Sequence, residues 1–224
     1  PTLDANDDVK DEMLDGERAE KIREYLERFE YASRKHVLFE IFWSTSIRMG
    51  TLHSLDLEDF RSDEQALAIR HRPDGGTSLK NGERAERIIA IPERTCEVVS
   101  DWITHTRPDV TDDNGRDPLI TTEQGRVSQS NIRALVYHIT RPCYYGESCC
   151  CDEQYPYSYA SKCEKSRSPH CLRKGSLTHL LKNDVPKQVV SDRADVSPDV
   201  LDKHYNKMTE EEKMEQRREY LDSM

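Results

Sequence analysis

The chain has 224 residues with 35 % hydrophobic and 7 % aromatic content, which is enough for one hydrophobic core and a small subdomain. Its net charge of −10, from 43 acidic and 33 basic residues, argues against a uniformly basic nucleic-acid-binding surface. No apolar run approaches the roughly 18 residues of a membrane-spanning helix, and no signal peptide opens the sequence, so we expect a cytoplasmic protein without membrane contact.

Charge is distributed unevenly along the chain. Residues 1–30 hold eleven acidic and five basic side chains, whereas residues 162–187 hold seven basic and two acidic ones. An acidic protein with one basic strip can still attract a phosphate backbone, because the local field matters more than the net charge. The acid excess and the preference for Arg over Lys resemble proteins adapted to high salt, in which phosphate contacts are weakened.

The first part of the chain is predicted to be helical. Residues 1–16 are acidic and poor in large apolar groups, so we expect a lead-in segment without a core of its own. Apolar residues at helical spacing predict a helix within Met13–Tyr31. The nearly continuous apolar residues of 35–48 predict a buried helix, with Gly50 as its stop signal.

The middle of the chain carries the strand signals. Short strands are predicted at Leu55–Phe60, Ala66–His71 and Arg87–Ile91, and the last two enclose a connection rich in Pro, Gly and Asn-Gly, typical of a hairpin. Two helices are predicted next, at Pro92–Ile103 and at Val127–Thr140. A loop over 107–118 separates them, and Ser128 or Ser130 is expected near the cap of the second.

The last third begins with an irregular stretch. Residues 142–169 are rich in Cys, Tyr, Ser and Pro without a period, which indicates an inserted loop. Helices are predicted at Leu172–Leu181, from Pro186 to Arg193, and from Ser197-Pro198-Asp199 onward. A final helix at Thr209–Leu221 is charged on nearly every face. We therefore expect an α+β fold that is mostly α, with a small antiparallel sheet.

Five side chains form the candidate catalytic set. His170 and Arg173 lie three residues apart in Pro-His-Cys-Leu-Arg-Lys-Gly, so both can face one site. Arg48 follows the predicted buried helix, Lys80 lies in the predicted hairpin, and Tyr205 is near the end of the chain. The order Arg, Lys, His-x-x-Arg, Tyr resembles the tyrosine recombinase, or phage integrase, family over nearly the whole chain. With the acid excess, it resembles integrase-like proteins of halophilic archaea, their viruses or plasmids.

The resemblance implies a role for each of these residues. Arg48 and Arg173 would clamp the scissile phosphate, since the planar guanidinium can hold two phosphate oxygens. Lys80 would protonate the leaving 5′-oxygen. His170 would accept the tyrosine proton or donate to the phosphate, and Tyr205 would attack phosphorus to form a 3′-phosphotyrosyl link. No cofactor is required for such catalysis.

The resemblance also implies a domain arrangement and partners. We expect a tyrosine recombinase catalytic domain at 17–208, helical with a small three-stranded antiparallel sheet, and a C-terminal helix at 209–224 that docks on a neighbouring subunit. We expect the N-terminal DNA-clamp domain of the family to be absent from this sequence. The expected partner is double-stranded DNA, on which the chain would form a homo-tetramer while remaining a monomer alone.

Two positions depart from the family pattern. Thr51 stands where the family usually has an acidic residue, and Asp195 stands where it usually has His or Trp. Asp195 cannot donate to a phosphate unless it is protonated, but it could orient an Arg, or His204 could take the missing role. A non-catalytic DNA-binding relative and a topoisomerase-like strand-passing enzyme therefore stay open as alternatives.

A cysteine group in the inserted loop suggests a second kind of site. A structural zinc could be bound by Cys143, Cys149, Cys151 and Cys163, with Cys150 as an alternative ligand. The spacing has no paired Cys-x-x-Cys, so thiols or a disulfide are the competing interpretation. A zinc-stabilised interaction domain is the third alternative function.

Each candidate residue also has a purely structural interpretation. Arg48 alone would be a surface charge or part of an ion pair, Lys80 a solvated turn residue, and His170 a capping or otherwise satisfied polar group. Tyr205 alone would be a half-buried packing residue, and the strip at 162–187 a solvated helix face. The ordered combination of the five side chains is what favours phosphodiester chemistry.

Overall fold

The computed structural model describes residues 12–148, 156–205 and 209–219, without some side chains of the last two helices, including that of Tyr205. The helices are α1 (Gly16–Phe29), α2 (Arg34–Thr45), α3 (Met49–Ser54), α4 (Glu93–Asp101), α5 (Gln129–Ile139), α6 (Pro169–Lys182), α7 (Lys187–Ala194), α8 (Pro198–Tyr205) and α9 (Glu210–Glu219). The strands are β1 (Phe60–Arg61), β2 (Ala66–Ile69), β3 (Arg87–Ala90), β4 (Thr121–Thr122) and β5 (Gly125–Arg126). Of the described helices, none is long and apolar enough to cross a membrane.

The predicted class, a mostly helical α+β fold with a small three-stranded antiparallel sheet, is confirmed. Strands β1, β2 and β3 pair in that order, with Leu67 opposite both Phe60 and Ile89. The sheet is shorter than predicted at its start, because Leu57–Asp59 forms a turn of 3-10 helix before β1. The two-residue strands β4 and β5 were not predicted, since two residues are too few to show an alternating pattern.

Helix α2 is the centre of the main core, as its apolar composition predicted. It is buried on nearly every face and contacts α1, α4 and α6. The prediction that Gly50 ends this helix is wrong. The helix ends at Ser46, which adopts a left-handed conformation with φ of 54° and whose N–H donates to the carbonyl of Phe42. Contacts from α6 to Ser46 account for this early end, because they satisfy its hydroxyl and carbonyl groups.

Serine caps start two helices at the site. Ser128 accepts a hydrogen bond from the N–H of Asn131 at 3.2 Å, so the predicted cap of α5 is confirmed. Ser168 does the same for α6 by accepting from the N–H of Cys171 at 3.2 Å. Because α6 therefore begins at Pro169, His170 lies in its first turn.

A chain segment before α1 crosses α6 at a glycine. Leu14 is fully buried, and its N–H donates to the carbonyl of Cys171 at 3.2 Å. A Cβ atom built on Gly175 would lie 1.8 Å from the carbonyl oxygen of Leu14, far inside van der Waals contact. Only glycine permits this close approach of two backbones.

Substitution of Gly175 by Ala is expected to lower the free energy of unfolding by about 3 kcal/mol or more, because the added methyl group meets immobile backbone. Chemical denaturation of the two proteins measures this difference. Gly50→Ala is the matched control, since a Cβ there meets nothing within 4 Å and alanine is the better helix former. Equal stabilities for Gly175→Ala and Gly50→Ala would show that the crossing is not as close as described.

Candidate active site

An open groove with a volume of about 1260 Å³ lies between α3, the β2–β3 connection, α5, α6, α7 and the start of α8. Arg48, Lys80, His170 and Arg173 all line this groove. The fold thus brings together four predicted site residues that are up to 125 positions apart in the sequence.

The groove is basic although the chain is acidic. Among the described residues that line it, seven carry a basic side chain, and three carry an acidic one. The basic residues are Arg48, Lys80, Arg84, Arg87, Arg133, Arg173 and Lys174, and the acidic ones are Glu86, Asp192 and Asp195. A local excess of positive charge in a concave surface attracts a phosphate backbone even when the net charge is −10.

Arg173 is the most buried of the candidate residues, with 8 % of its surface exposed. Its guanidinium donates to the carbonyl of Ser46, at the end of α2, and to that of Ala194, at the end of α7, at 2.9 Å in the second case. Burial, together with the charges of Arg48 and Arg87, lowers the pKa of Arg173 to about 9. It therefore remains a cation at neutral pH, with N–H groups left over for a ligand.

Three successive carbonyls at the end of α7 each accept from a different arginine of the groove. Nε of Arg87 donates to the carbonyl of residue 193 at 2.8 Å, and Nη2 of Arg173 donates to that of residue 194 at 2.9 Å. Nη2 of Arg48 donates to the carbonyl of Asp195 at 2.7 Å. Carbonyls at a helix C-terminus carry partial negative charge and lack partners within the helix, which explains how three like charges can be held close together.

The side chain of Asp195 adds a full negative charge to this arrangement. Its carboxylate forms an ion pair with Arg48 and accepts from the amide of Asn81 at 2.9 and 3.1 Å. Asp195 thus contacts Arg48, in agreement with the prediction that it could orient an arginine. The side chain of His204 lies outside the described residues. Thr51, at the position of the usual acid, is buried and lines the groove.

The contacts of Arg87 and Arg193 were not predicted from the sequence. Besides its bond to residue 193, Arg87 donates to the carbonyl of Ala85 at 2.6 Å. Arg193 lies outside the groove lining and donates to the carbonyls of Ala90 and Ser44 at 2.7 and 3.0 Å. Apart from Ala85, their partners are backbone carbonyls more than 100 positions away in the sequence, so no local pattern could have shown these contacts.

Lys80 and His170 are both exposed in the groove, and within the described residues neither has a hydrogen bond or ion pair. Partial desolvation by the groove walls lowers the pKa of His170, and the positive charges of Lys174, Arg173 and Lys80 lower it further. The imidazole is therefore mostly neutral at pH 7 and can accept a proton.

Tyr205 is the last residue of α8, and its side chain lies outside the described part of the chain. One turn earlier, Leu201 is fully buried and packs with Leu177, Leu181 and Val190 of α6 and α7. The helix that carries the predicted nucleophile is thereby fixed against the helix that carries His170.

The four predicted zinc ligands are only partly within the described residues. Cys143 lies in a turn of 3-10 helix after α5, and Cys163 is buried at the end of another. Cys149 and Cys151 lie outside the described residues. Among the residues that are described, no group of three or more His, Cys, Asp or Glu could hold a metal ion. The zinc site therefore stays a prediction.

Several solved structures share this fold. The crystal structure of XerA recombinase matches with a TM-score of 0.67 and 17 % identity, over 93 % of this chain and 64 % of that one. The Tn1549 transposon integrase in complex with a circular intermediate DNA matches with a TM-score of 0.70 and 13 % identity, over 96 % and 68 % of the two chains. A lambda integrase dimer bound to a COC′ core site matches with a TM-score of 0.56 and 12 % identity, over 86 % and 47 %.

The chain therefore spans between about half and two thirds of the length of these proteins. None of the curated proteins matches its sequence. The model of the phage integrase family matches residues 12–212, which include the α2 core, the basic groove and the whole of α8. The chain belongs to the phage integrase family.

Proposed function

We propose that the chain is the catalytic domain of a tyrosine site-specific recombinase, which cleaves and rejoins DNA through a 3′-phosphotyrosyl intermediate. The main support for this proposal is that one basic groove is lined by Arg48, Lys80, His170 and Arg173. The family and the fold are those of tyrosine recombinases, which supports this chemistry. Tyr205, on the helix packed against α6, is the proposed nucleophile.

The arginines supply the charge that the reaction requires. Attack on a phosphodiester develops negative charge on the non-bridging oxygens, and an enzyme must lower this barrier by up to roughly 20 kcal/mol. Arg173 and Arg48 are fixed by carbonyl contacts before substrate arrives, so little reorganisation is needed. Their remaining N–H groups would hold the phosphate oxygens.

Two proton transfers complete the proposed step. The phenol oxygen of Tyr205 bonds to phosphorus while the bond from phosphorus to the 5′-oxygen breaks. His170 accepts the phenol proton, and Lys80 gives a proton to the leaving 5′-oxygen. The reverse step, with a 5′-hydroxyl as the attacking group, rejoins the strand. Because the phosphotyrosyl bond keeps the energy of the broken phosphodiester, the cycle needs neither ATP nor a metal ion.

Double-stranded DNA is the proposed substrate, and a homo-tetramer on DNA is the proposed assembly. Structures of related fold were solved with DNA, including XerH recombinase bound to a palindromic difH substrate. Arg84 and Arg133 extend the basic lining beyond the catalytic set and are exposed, so they can contact neighbouring phosphates.

The pH dependence of cleavage follows from the state of His170. Its pKa lies below the ordinary value of 6.5, and only the neutral imidazole accepts the tyrosine proton. At DNA concentrations below saturation, cleavage is therefore expected to rise with pH through a value below 6.5 and then to level off. His170→Gln should lose this acidic limb together with most of the rate. A midpoint above 6.5 in the unsubstituted protein would contradict the assignment.

A nicked suicide substrate tests the proposal, because the nick releases the attacking 5′-hydroxyl and traps the covalent intermediate. The expected result is a denaturant-resistant protein–DNA adduct that Tyr205→Phe does not form. A folded protein that binds DNA but forms no adduct would instead be a non-catalytic relative. Relaxation of supercoiled DNA without exchange between two sites would indicate a topoisomerase-like enzyme.

A further inference from the structure

Asp195 contacts both Arg48, which would hold the phosphate, and the β2–β3 connection, which carries the proposed general acid Lys80. We propose that Asp195 is a positioning residue. It holds the guanidinium of Arg48 and the β2–β3 connection, which carries Lys80, in fixed positions relative to each other. This inference rests on the proposed function and deepens it. It gives a role to an acidic side chain in a site where negative charge would otherwise oppose phosphate binding.

On one side, Asp195 fixes the guanidinium of Arg48. Nη1 of Arg48 donates to the carboxylate, and Nη2 donates to the backbone carbonyl of the same residue at 2.7 Å. An arginine has five N–H donors, so these two contacts set its plane and still leave three for phosphate oxygens. The Arg48 and Asp195 side chains are 26 % and 20 % exposed, so solvent screens the pair only partly.

On the other side, Asp195 anchors the connection between β2 and β3. Both carboxylate oxygens accept from Nδ2 of Asn81, at 3.1 and 2.9 Å. The residue before Lys80 is also fixed, because Leu79 is buried and its N–H donates to Nδ1 of His71 at 3.0 Å. Lys80 is thus an exposed side chain between two anchored neighbours, which limits where its ammonium can reach.

The backbone around Asp195 is fixed as well. Residue 195 adopts a left-handed conformation, with φ of 51° and ψ of 62°, and its N–H donates to the carbonyl of Ser191. Asp and Asn adopt this conformation more readily than most residues do. The carbonyls of residues 193 and 194 are held by Arg87 and Arg173. The carboxylate therefore projects from a rigid point, as a positioning residue requires.

The test compares single-turnover adduct formation on two suicide substrates of the same sequence. One has the natural 5′-oxygen at the cleavage point, and the other has a bridging sulfur there. A thiolate leaves without being protonated, so the sulfur substrate does not need the general acid. Asn81→Ala is expected to lose about 10-fold in rate with oxygen and to recover with sulfur. Asp195→Asn is expected to lose about 100-fold with oxygen and to recover only in part, because Arg48 stays misoriented.

Asp192→Asn provides the matched comparison. It removes the same charge from the same wall of the groove, but the Asp192 carboxylate accepts from Gln188 and has no contact with Arg48 or Asn81. If the loss of one negative charge in itself changes DNA affinity, the change should be similar in Asp195→Asn and Asp192→Asn. Asn81 is exposed, so its variant keeps the fold, and selective rescue by sulfur stays measurable even if Asp195→Asn is less stable.

Two outcomes overturn the positioning role while the proposed function stands. One is equal adduct rates for Asp195→Asn and Asp192→Asn, and the other is a loss in Asn81→Ala that sulfur does not restore. Absence of an adduct from the unsubstituted protein on both substrates would overturn the proposed function and the positioning role together.

Discussion

Replacement of Arg173 by Lys is expected to reduce the rate of covalent adduct formation by about 1,000-fold, since removing one preorganised donor from a developing oxyanion commonly costs that much. The guanidinium reaches the carbonyls of Ser46 and Ala194 while facing the groove. A lysine has one ammonium group and cannot span both carbonyls and a phosphate. We therefore expect a loss of about 2–3 kcal/mol in the free energy of unfolding as well.

Arg193→Lys separates these two effects. Arg193 makes the same kind of contacts, to the carbonyls of Ala90 and Ser44, but does not line the groove. It should lose similar stability in urea and retain adduct formation at a temperature where both variants are folded. If the two variants lost activity equally, the effect of Arg173 would be explained by stability alone.

Glu40→Gln is expected to lower the free energy of unfolding by about 3 kcal/mol, because it removes a buried, paired charge next to the main core. The Glu40 side chain is fully buried and accepts from Nε and Nη2 of Arg23 at 2.8 and 3.0 Å, with Arg94 at 3.7 Å. A glutamine is neutral, so it would remove the buried counter-charge of Arg23, which would keep only the more exposed Glu20 at 3.1 Å. Glu64→Gln is the control, because its ion pair with Arg61 is at the surface and contributes less than about 1 kcal/mol.

The difference in the free energy of unfolding between the unsubstituted protein and Glu40→Gln should depend on pH. Burial alone would raise the pKa of Glu40, but contacts from His36 and from Arg23 outweigh it and lower the pKa to about 2. A lowered carboxylate pKa stabilises the fold above the ordinary value of 4.5, and this stabilisation is lost as the pH falls toward 2. Urea unfolding should therefore give a difference of about 3 kcal/mol at pH 7 that is nearly gone at pH 2. A difference independent of pH would contradict this account.

Local patterns were sufficient for much of the fold. Helical spacing located α1 and α6, a nearly continuous apolar run located α2, and Ser128 correctly marked the start of α5. Turn residues between two apolar runs located the β2–β3 connection. The errors lie where distant contacts decide the outcome. Gly50 failed as a stop because Ser46, held by α6, ends α2 first.

The candidate site divides in the same way. Arg48, Lys80, His170 and Arg173 could be selected because side-chain chemistry and order are visible in a sequence. The backbone groups that hold the arginines could not be predicted. They are carbonyls at the end of α7, and every residue type has a carbonyl. The pairing of Asp195 with Asn81 joins positions 114 residues apart and follows from the fold alone.

Tyr205 is the proposed nucleophile, and identification of the residue that is joined to DNA tests this assignment. The trapped adduct is digested with protease and nuclease, and the modified peptide is sequenced by mass spectrometry. We expect a nucleotide attached through its 3′-phosphate to Tyr205, and no adduct from Tyr205→Phe. A nucleotide on another residue, a 5′-phosphate linkage, or an adduct that persists in Tyr205→Phe would contradict it.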